Sequence, residues 1–191
     1  MRAEDANTLI LGIGNILWAD EGFGVRCVEA MNARFEFDDD VRLMDGGTQG
    51  LFLLPWVCST SRLLIFDAID FGLAPGELRV IEDDDVPQYM GVKKVSMHQT
   101  GFQEVLMSAR LLHDRPQQLA LIGVQPEQLD DYGGSLRATV RQRIPEAVER
   151  GCAVLRQWGV VAHERSAPLE PLDLIGPQEL SMPNYELGKP R

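Results

Sequence analysis

Thr8-Leu9-Ile10-Leu11-Gly12-Ile13-Gly14 is an apolar run of strand length stopped by glycines. Such a run marks a strand buried on both faces of a parallel sheet. Downstream, Val25, Val28 and Met31 recur at helical spacing and predict a helix over 21–34. Val41-Arg42-Leu43-Met44 reads as a second strand closed by Asp45-Gly46-Gly47. Thr48 is placed to cap a helix carrying Leu51, Leu54 and Val57. Arg62-Leu63-Leu64-Ile65-Phe66 is a third strand, and Asp67 stands at its end.

The remaining pattern completes the architecture. Pro75-Gly76 marks a turn before Glu77-Leu78-Arg79-Val80-Ile81, whose alternation predicts a half-exposed edge strand. Too few residues separate it from Asp67 for a helical crossover, so it is expected to run antiparallel. Phe102, Val105, Leu106, Ala109 and Leu112 form the stripe of an amphipathic helix after His98. Gln118-Leu119-Ala120-Leu121-Ile122-Gly123-Val124 is the last predicted strand. Ser135 can cap the final helical region, in which Val140, Ile144, Val148 and Leu155 are in phase and which Pro145 kinks or restarts. These elements define an α/β fold class: a single three-layer domain over 1–160, with a five-stranded, mostly parallel twisted sheet, one antiparallel strand and helices on both faces. Residues 161–191 carry Pro168, Pro171, Pro177, Pro183 and Pro190 and read as a Pro-rich tail, extended or mobile.

Composition narrows the function. The net charge is −11 over 191 residues, which repels nucleic acid and anionic lipid, because binding either depends on Lys and Arg neutralising phosphate. No apolar run approaches the ~20 residues of a membrane span, so no membrane insertion is expected. Met1-Arg2-Ala3-Glu4-Asp5 lacks secretory architecture, and a cytoplasmic location is the expectation. Cys27, Cys58 and Cys152 have no metal-binding or redox spacing and read as reduced core thiols. The triplets Asp38-Asp39-Asp40 and Asp83-Asp84-Asp85 read as solvated turns.

Chemistry concentrates on Glu21, Asp67 and His98. A parallel sheet gathers its functional side chains along the carboxyl edge of its strands. Gly12-Ile-Gly14 resembles the start of a dinucleotide fingerprint, but Leu17 replaces the third glycine, and Asp20 and Glu21 would repel a phosphate at the helix start. Glu21 alone is explained as an acidic residue satisfying a helix dipole. Asp67 is harder to dismiss, since a carboxylate ending an apolar strand is costly to bury without a partner. His98 precedes the stripe of its helix rather than packing within it, whereas His113 and His163 have no comparable setting. Two oxygen donors and one nitrogen suit a divalent cation such as nickel or zinc and leave coordination positions open. No Gly-x-Ser-x-Gly elbow supports a serine hydrolase, and Ser96 beside His98 does not make a triad. No His-Glu-x-x-His helix is present.

With these residues in place, the chain resembles the nickel-iron hydrogenase maturation endopeptidases. The resemblance rests on Gly12 to Gly24, on Asp45-Gly46-Gly47-Thr48-Gln49-Gly50, on Phe66-Asp67-Ala68-Ile69-Asp70, on Ser96-Met97-His98-Gln99 and on Gly123-Val124-Gln125-Pro126-Glu127. The tail motif at Leu180-Ser181-Met182 and Asn184-Tyr185-Glu186 is similar to the branch serving membrane-bound uptake hydrogenases. The resemblance implies a peptidase, aspartic-type by family classification, that removes the C-terminal peptide of the hydrogenase large-subunit precursor after nickel insertion. It implies that Glu21, Asp67 and His98 are both the metal contacts and the catalytic set. The nickel would be the precursor's own, with other divalent cations able to occupy the site in vitro. Asp45, Gly46 and Gly47 are expected at the substrate, and Asp20 and Asp70 behind the site. A noncatalytic, metal-sensing chaperone of the same precursor would use the same residues.

Overall fold

The computed structural model describes residues 7–87, 97–170 and 173–187, with backbone alone over 97–100. Its frame is a five-stranded sheet. In chain order the strands are β1 (Thr8–Ile13), β3 (Val41–Gly47), β4 (Arg62–Ala68), β5 (Leu78–Glu82) and β6 (Gln118–Val124), arranged across the sheet as β3-β1-β4-β6-β5. All neighbours pair in parallel except β5, which lies antiparallel to β6 at the edge. The expected antiparallel direction of β5 is realised, with β6 rather than its predecessor β4 as the partner.

Alternation along the strands divides the core into two layers. Ile10, Leu64, Phe66, Ala120 and Ile122 point to one face, where α1 (Phe23–Arg34) and α5 (Ile144–Gln157) pack with Val28, Met31, Val148 and Leu155. Leu9, Leu11, Leu63, Ile65 and Leu121 point to the other, beneath α2 (Leu54–Cys58) and α3 (Met97–Leu111) with Val57, Phe102 and Val105. Successive side chains leave a strand on opposite sides, so a strand lying between two helical layers must be apolar at every position. Each fully buried Leu, Ile or Phe contributes about 1.5–3 kcal/mol, and these strands contain little else.

Several local expectations are corrected. The acidic turn before α1 is not helical: Ala19–Gly22 is a 3-10 turn, and the α-helix begins at Phe23. Thr48 caps nothing; a 3-10 turn, Gly50–Leu53, leads into α2, with Gln49 at the cap position and no side-chain cap bond. Two changes of direction at Gly47 and Gly50, both in the left-handed region, displace the chain from the register Thr48 would need. Ser135 does not cap α4 (Ala138–Arg141), because its hydroxyl donates to Glu186 at 2.7 Å. Pro145 restarts the chain in the first turn of α5, where its missing N–H costs nothing. Cys27 and Cys152 are buried thiols, while Cys58 is only half-buried.

Over its described residues, 161–170 and 173–187, the C-terminal stretch is built differently from an extended or mobile tail. β7 (His163–Glu164) pairs antiparallel with β2 (Phe35–Glu36), which follows α1 directly. A 3-10 turn, Gln178–Leu180, and α6 (Met182–Leu187) come next. Arg26 of α1 is 4% exposed; its guanidinium donates to both oxygens of Glu29 at 2.8 and 3.0 Å and to the Leu180 carbonyl at 2.8 Å. The Tyr185 ring lies 5.9 Å from the same guanidinium, and Ile175 and Met182 pack against the core. Prolines prevent long regular elements here, yet they leave the side chains able to dock.

Candidate active site at the carboxyl edge

The strand order places a switch point between β1 and β4. The connection from β1 crosses to β3 on one side, and the chain after β4 continues to β6 and β5 on the other. Diverging loops at such a point open a crevice at the carboxyl ends of the strands. Glu21 follows β1 and Asp67 is the sixth residue of β4, so both stand at the carboxyl edge beside this switch point.

Close backbone packing draws the two together. A Cβ on Gly14 would lie 1.8 Å from the Glu21 carbonyl oxygen, and one on Gly24 would lie 2.1 Å from the carbonyl oxygen of Phe66, the residue before Asp67. No side chain fits at either position, so the glycines permit the acidic turn to rest on the ends of β1 and β4. Gly12 pairs with Phe66 across the two strands, and the turn itself packs against β4. Asp67 is fully buried, with Oδ1 accepting the Ala68 N–H at 2.7 Å. Glu21 is half-buried.

His98 lies in the first turn of α3. That helix abuts the 3-10 turn after β3, since a Cβ on Gly101 would meet the Gly50 Cα at 3.4 Å. The helix start therefore belongs to the same end of the sheet. The His98 side chain and Ser96 lie outside the described residues, and among the described residues no group of three His, Cys, Asp or Glu forms a metal cluster.

Asp20 takes a different part from its neighbour. It is fully buried and holds the loop after β6: Oδ2 accepts the N–H groups of Glu127 and Gln128 at 2.9 and 2.8 Å, and Oδ1 accepts that of Arg137 at 2.7 Å. It does not compete with Glu21 for the amides of α1. The residue before it, Ala19, is held at φ +42°, a conformation an alanine keeps only when its surroundings impose it. The same loop is fastened by Gly133 N–H to the Leu17 carbonyl at 2.6 Å and by Tyr132 edge-on to Trp18 with ring centroids 5.3 Å apart. Asp70 accepts Gly72 N–H and the Gln125 amide, while Gln125 Oε1 accepts the N–H groups of Phe71 and Leu73. Asp20 and Asp70 thus fasten the loops that follow β6 and β4 at the carboxyl edge.

Asp45, the fifth residue of β3, accepts Gly47 N–H at 2.8 Å. Burial pushes its carboxyl above the usual range, against the Gly47 hydrogen bond and the Arg26 charge, which pull it down. Glu29 is raised for the same reason, with Arg26 opposing and Asp45 adding to the rise. Sequence reasoning misses Arg26. Its only sequence signal is the i,i+3 pair with Glu29, because the tail that completes its environment is more than a hundred residues away.

Comparison with known proteins agrees with this fold. The family model for hydrogenase maturation proteases matches residues 25–154. The chain is 54% identical over 180 residues to the hydrogenase expression/formation protein HoxM of Cupriavidus necator, covering 94% of this chain and 89% of that one. It is 42% identical to the hydrogenase 2 maturation protease of Escherichia coli over 160 residues, 83% of this chain and 96% of that one. Among solved structures, the hydrogenase maturating endopeptidase HybD from E. coli superposes with a TM-score of 0.79 at 41% identity, covering 83% of this chain and 98% of that one.

Proposed function

Because this chain belongs to the family of hydrogenase maturation proteases, we propose that it is the endopeptidase that removes the C-terminal peptide of a nickel-iron hydrogenase large-subunit precursor once nickel has been inserted. The observation that carries this reading is a buried Asp67 at the end of β4 with the backbone turn carrying Glu21 packed on the same strand ends, and the helix bearing His98 starting at the same end of the sheet.

The donor set supports recognition of a metal that arrives with the substrate. Two carboxylates and one imidazole form an incomplete ligand sphere for nickel or zinc, so they can add to an ion already held by another chain. The nickel is then part of the substrate rather than a resident cofactor. Within the crevice, Glu21 and Asp67 supply negative charge, and either can accept a proton from an attacking water. Asp20, Asp70 and Gln125 keep the surrounding loops from relaxing away. Burial makes the placement of Asp67 rigid, which matters because an error of 1 Å in a catalytic geometry can cost about a hundredfold in rate. Among the described residues no helix is long and apolar enough to cross a membrane, and the reading places the reaction in the cytoplasm.

The test is to incubate the purified protein with nickel-loaded and nickel-free precursor and weigh the products. A mass loss at the precursor C-terminus in the loaded sample alone is the expected result. Association without mass loss in either sample replaces the protease with a metal-sensing chaperone; cleavage of both samples removes nickel from recognition.

A further inference from the structure

β3 is one of the two edge strands of the sheet and pairs with β1 alone among the described residues. Thr8 N–H donates to the Asp40 carbonyl and Gly14 N–H to the Gly47 carbonyl. The alternation of a parallel ladder then directs the backbone groups of Leu43 and Asp45 away from β1. At the two ends of this edge Val41 N–H donates to the Asp38 carbonyl at 3.0 Å and the Asp45 carbonyl accepts the Gln49 side-chain amide at 3.2 Å, an exposed contact that an incoming strand would displace. Alongside this edge runs an open groove of about 560 Å³, whose far wall is the docked tail at Asp173–Ile175. A strand edge bordering a groove is the geometry by which extended peptides add to a sheet.

The charge of the groove selects among peptides. Asp38, Asp39, Asp45 and Asp173 line it. Its two guanidiniums are engaged elsewhere: Arg42 lies 4.7 Å from the Trp56 ring centroid, and Arg165 donates to the Asn32 carbonyl at 2.8 Å and to Glu36 at 3.3 Å. The strand that borders the groove also ends beside the candidate site, because Gly47, at the end of β3, accepts from Gly14 N–H, and Gly14 rests on Glu21.

We propose that this groove takes an extended, positively charged segment of the substrate polypeptide, which adds as a strand to the outer edge of β3 and is guided along it toward Glu21 and Asp67. The identity of the occupant as substrate rests on the processing reading above; the peptide site itself does not. Main-chain bonds to β3 hold the segment, and the aspartates select its charge.

The probe is a fluorescein-labelled octapeptide of alternating lysine and valine, titrated into the full chain without nickel and followed by anisotropy and amide chemical shifts. Binding is expected, with shifts concentrated at Leu43 and Asp45. The exposed pair of substitutions Asp38→Lys and Asp39→Lys is expected to raise Kd about tenfold, and N-methylation of alternate peptide amides to abolish binding. Equal affinity for a glutamate-valine octapeptide, shifts away from β3, or no binding to the wild type would each overturn the proposal. Peptide binding by a protein that leaves nickel-loaded precursor uncut supports the groove and removes the processing reading alone; cleavage without peptide binding does the reverse.

Discussion

The Cα of Gly24 stands so near the carbonyl of Phe66 that a Cβ there would lie 2.1 Å from the oxygen, and 2.3 Å from that of Ile13. The start of α1 is thereby locked onto the carboxyl ends of β1 and β4, the two strands that flank the crevice. Gly24→Ala is expected to lower stability by about 3 kcal/mol or more, because backbone atoms cannot move aside as a flexible side chain would. Urea denaturation measures this, and a loss below about 1 kcal/mol would mean that the contact is looser than described.

Asp20 gives a second test, through hydrogen bonding rather than packing. Three backbone amides converge on its two oxygens. In Asp20→Asn an NH2 group must face at least one of those donors, and the loss of a charge-assisted bond in a buried site costs about 1.5–3 kcal/mol. Faster amide exchange at Glu127, Gln128 and Arg137 should accompany the drop in stability. Unchanged protection at all three would contradict the clamp.

Glu21→Gln, Asp67→Asn and His98→Ala are expected to abolish precursor processing while leaving the far-ultraviolet circular dichroism intact. Glu21→Gln and Asp67→Asn preserve side-chain volume, and His98 is not part of the apolar stripe of its helix, so the two core layers stay filled. Wild-type cleavage rates in all three variants would defeat the assignment.

Asp45 makes a prediction about pH. Burial raises its folded-state pKa above the unfolded value, so the folded protein binds the proton more tightly. The resulting contribution to stability is fully present below the ordinary aspartate range and is lost as pH rises through the folded pKa. Asp45→Asn keeps an oxygen for Gly47 N–H but cannot ionise. The stability of the variant relative to wild type should therefore increase as pH rises through that window and level off above it. Paired denaturation curves across the acidic range up to neutrality check the sign; a difference that shrinks with rising pH would refute it.

Much of the fold was legible in the chain because buried parallel strands leave a simple trace. Leu9 to Ile13, Leu63 to Phe66 and Leu119 to Val124 face helices on both sides, and continuous apolarity follows from that position. The edge strand announced itself through alternation, and Pro145 through its place in a first turn. The tail was not legible. Its contacts are single side chains meeting distant ones, such as Arg26 with Leu180 and Ser135 with Glu186, and no periodicity records them. The distinct duties of Asp20 and Glu21 were equally hidden: adjacent carboxylates look alike until one points into a loop 107 residues away.

Sequence by itself determined the layered sheet, its one reversed strand and the residue types that could meet at the carboxyl edge, because hydrophobic burial acts on local patterns that repeat. Tertiary structure alone decided that Asp20 braces the loop after β6, and that the last segment docks on α1 near the outer edge of β3. Those outcomes depend on the directions of individual bonds between residues far apart in the chain, and a linear pattern carries no such directions.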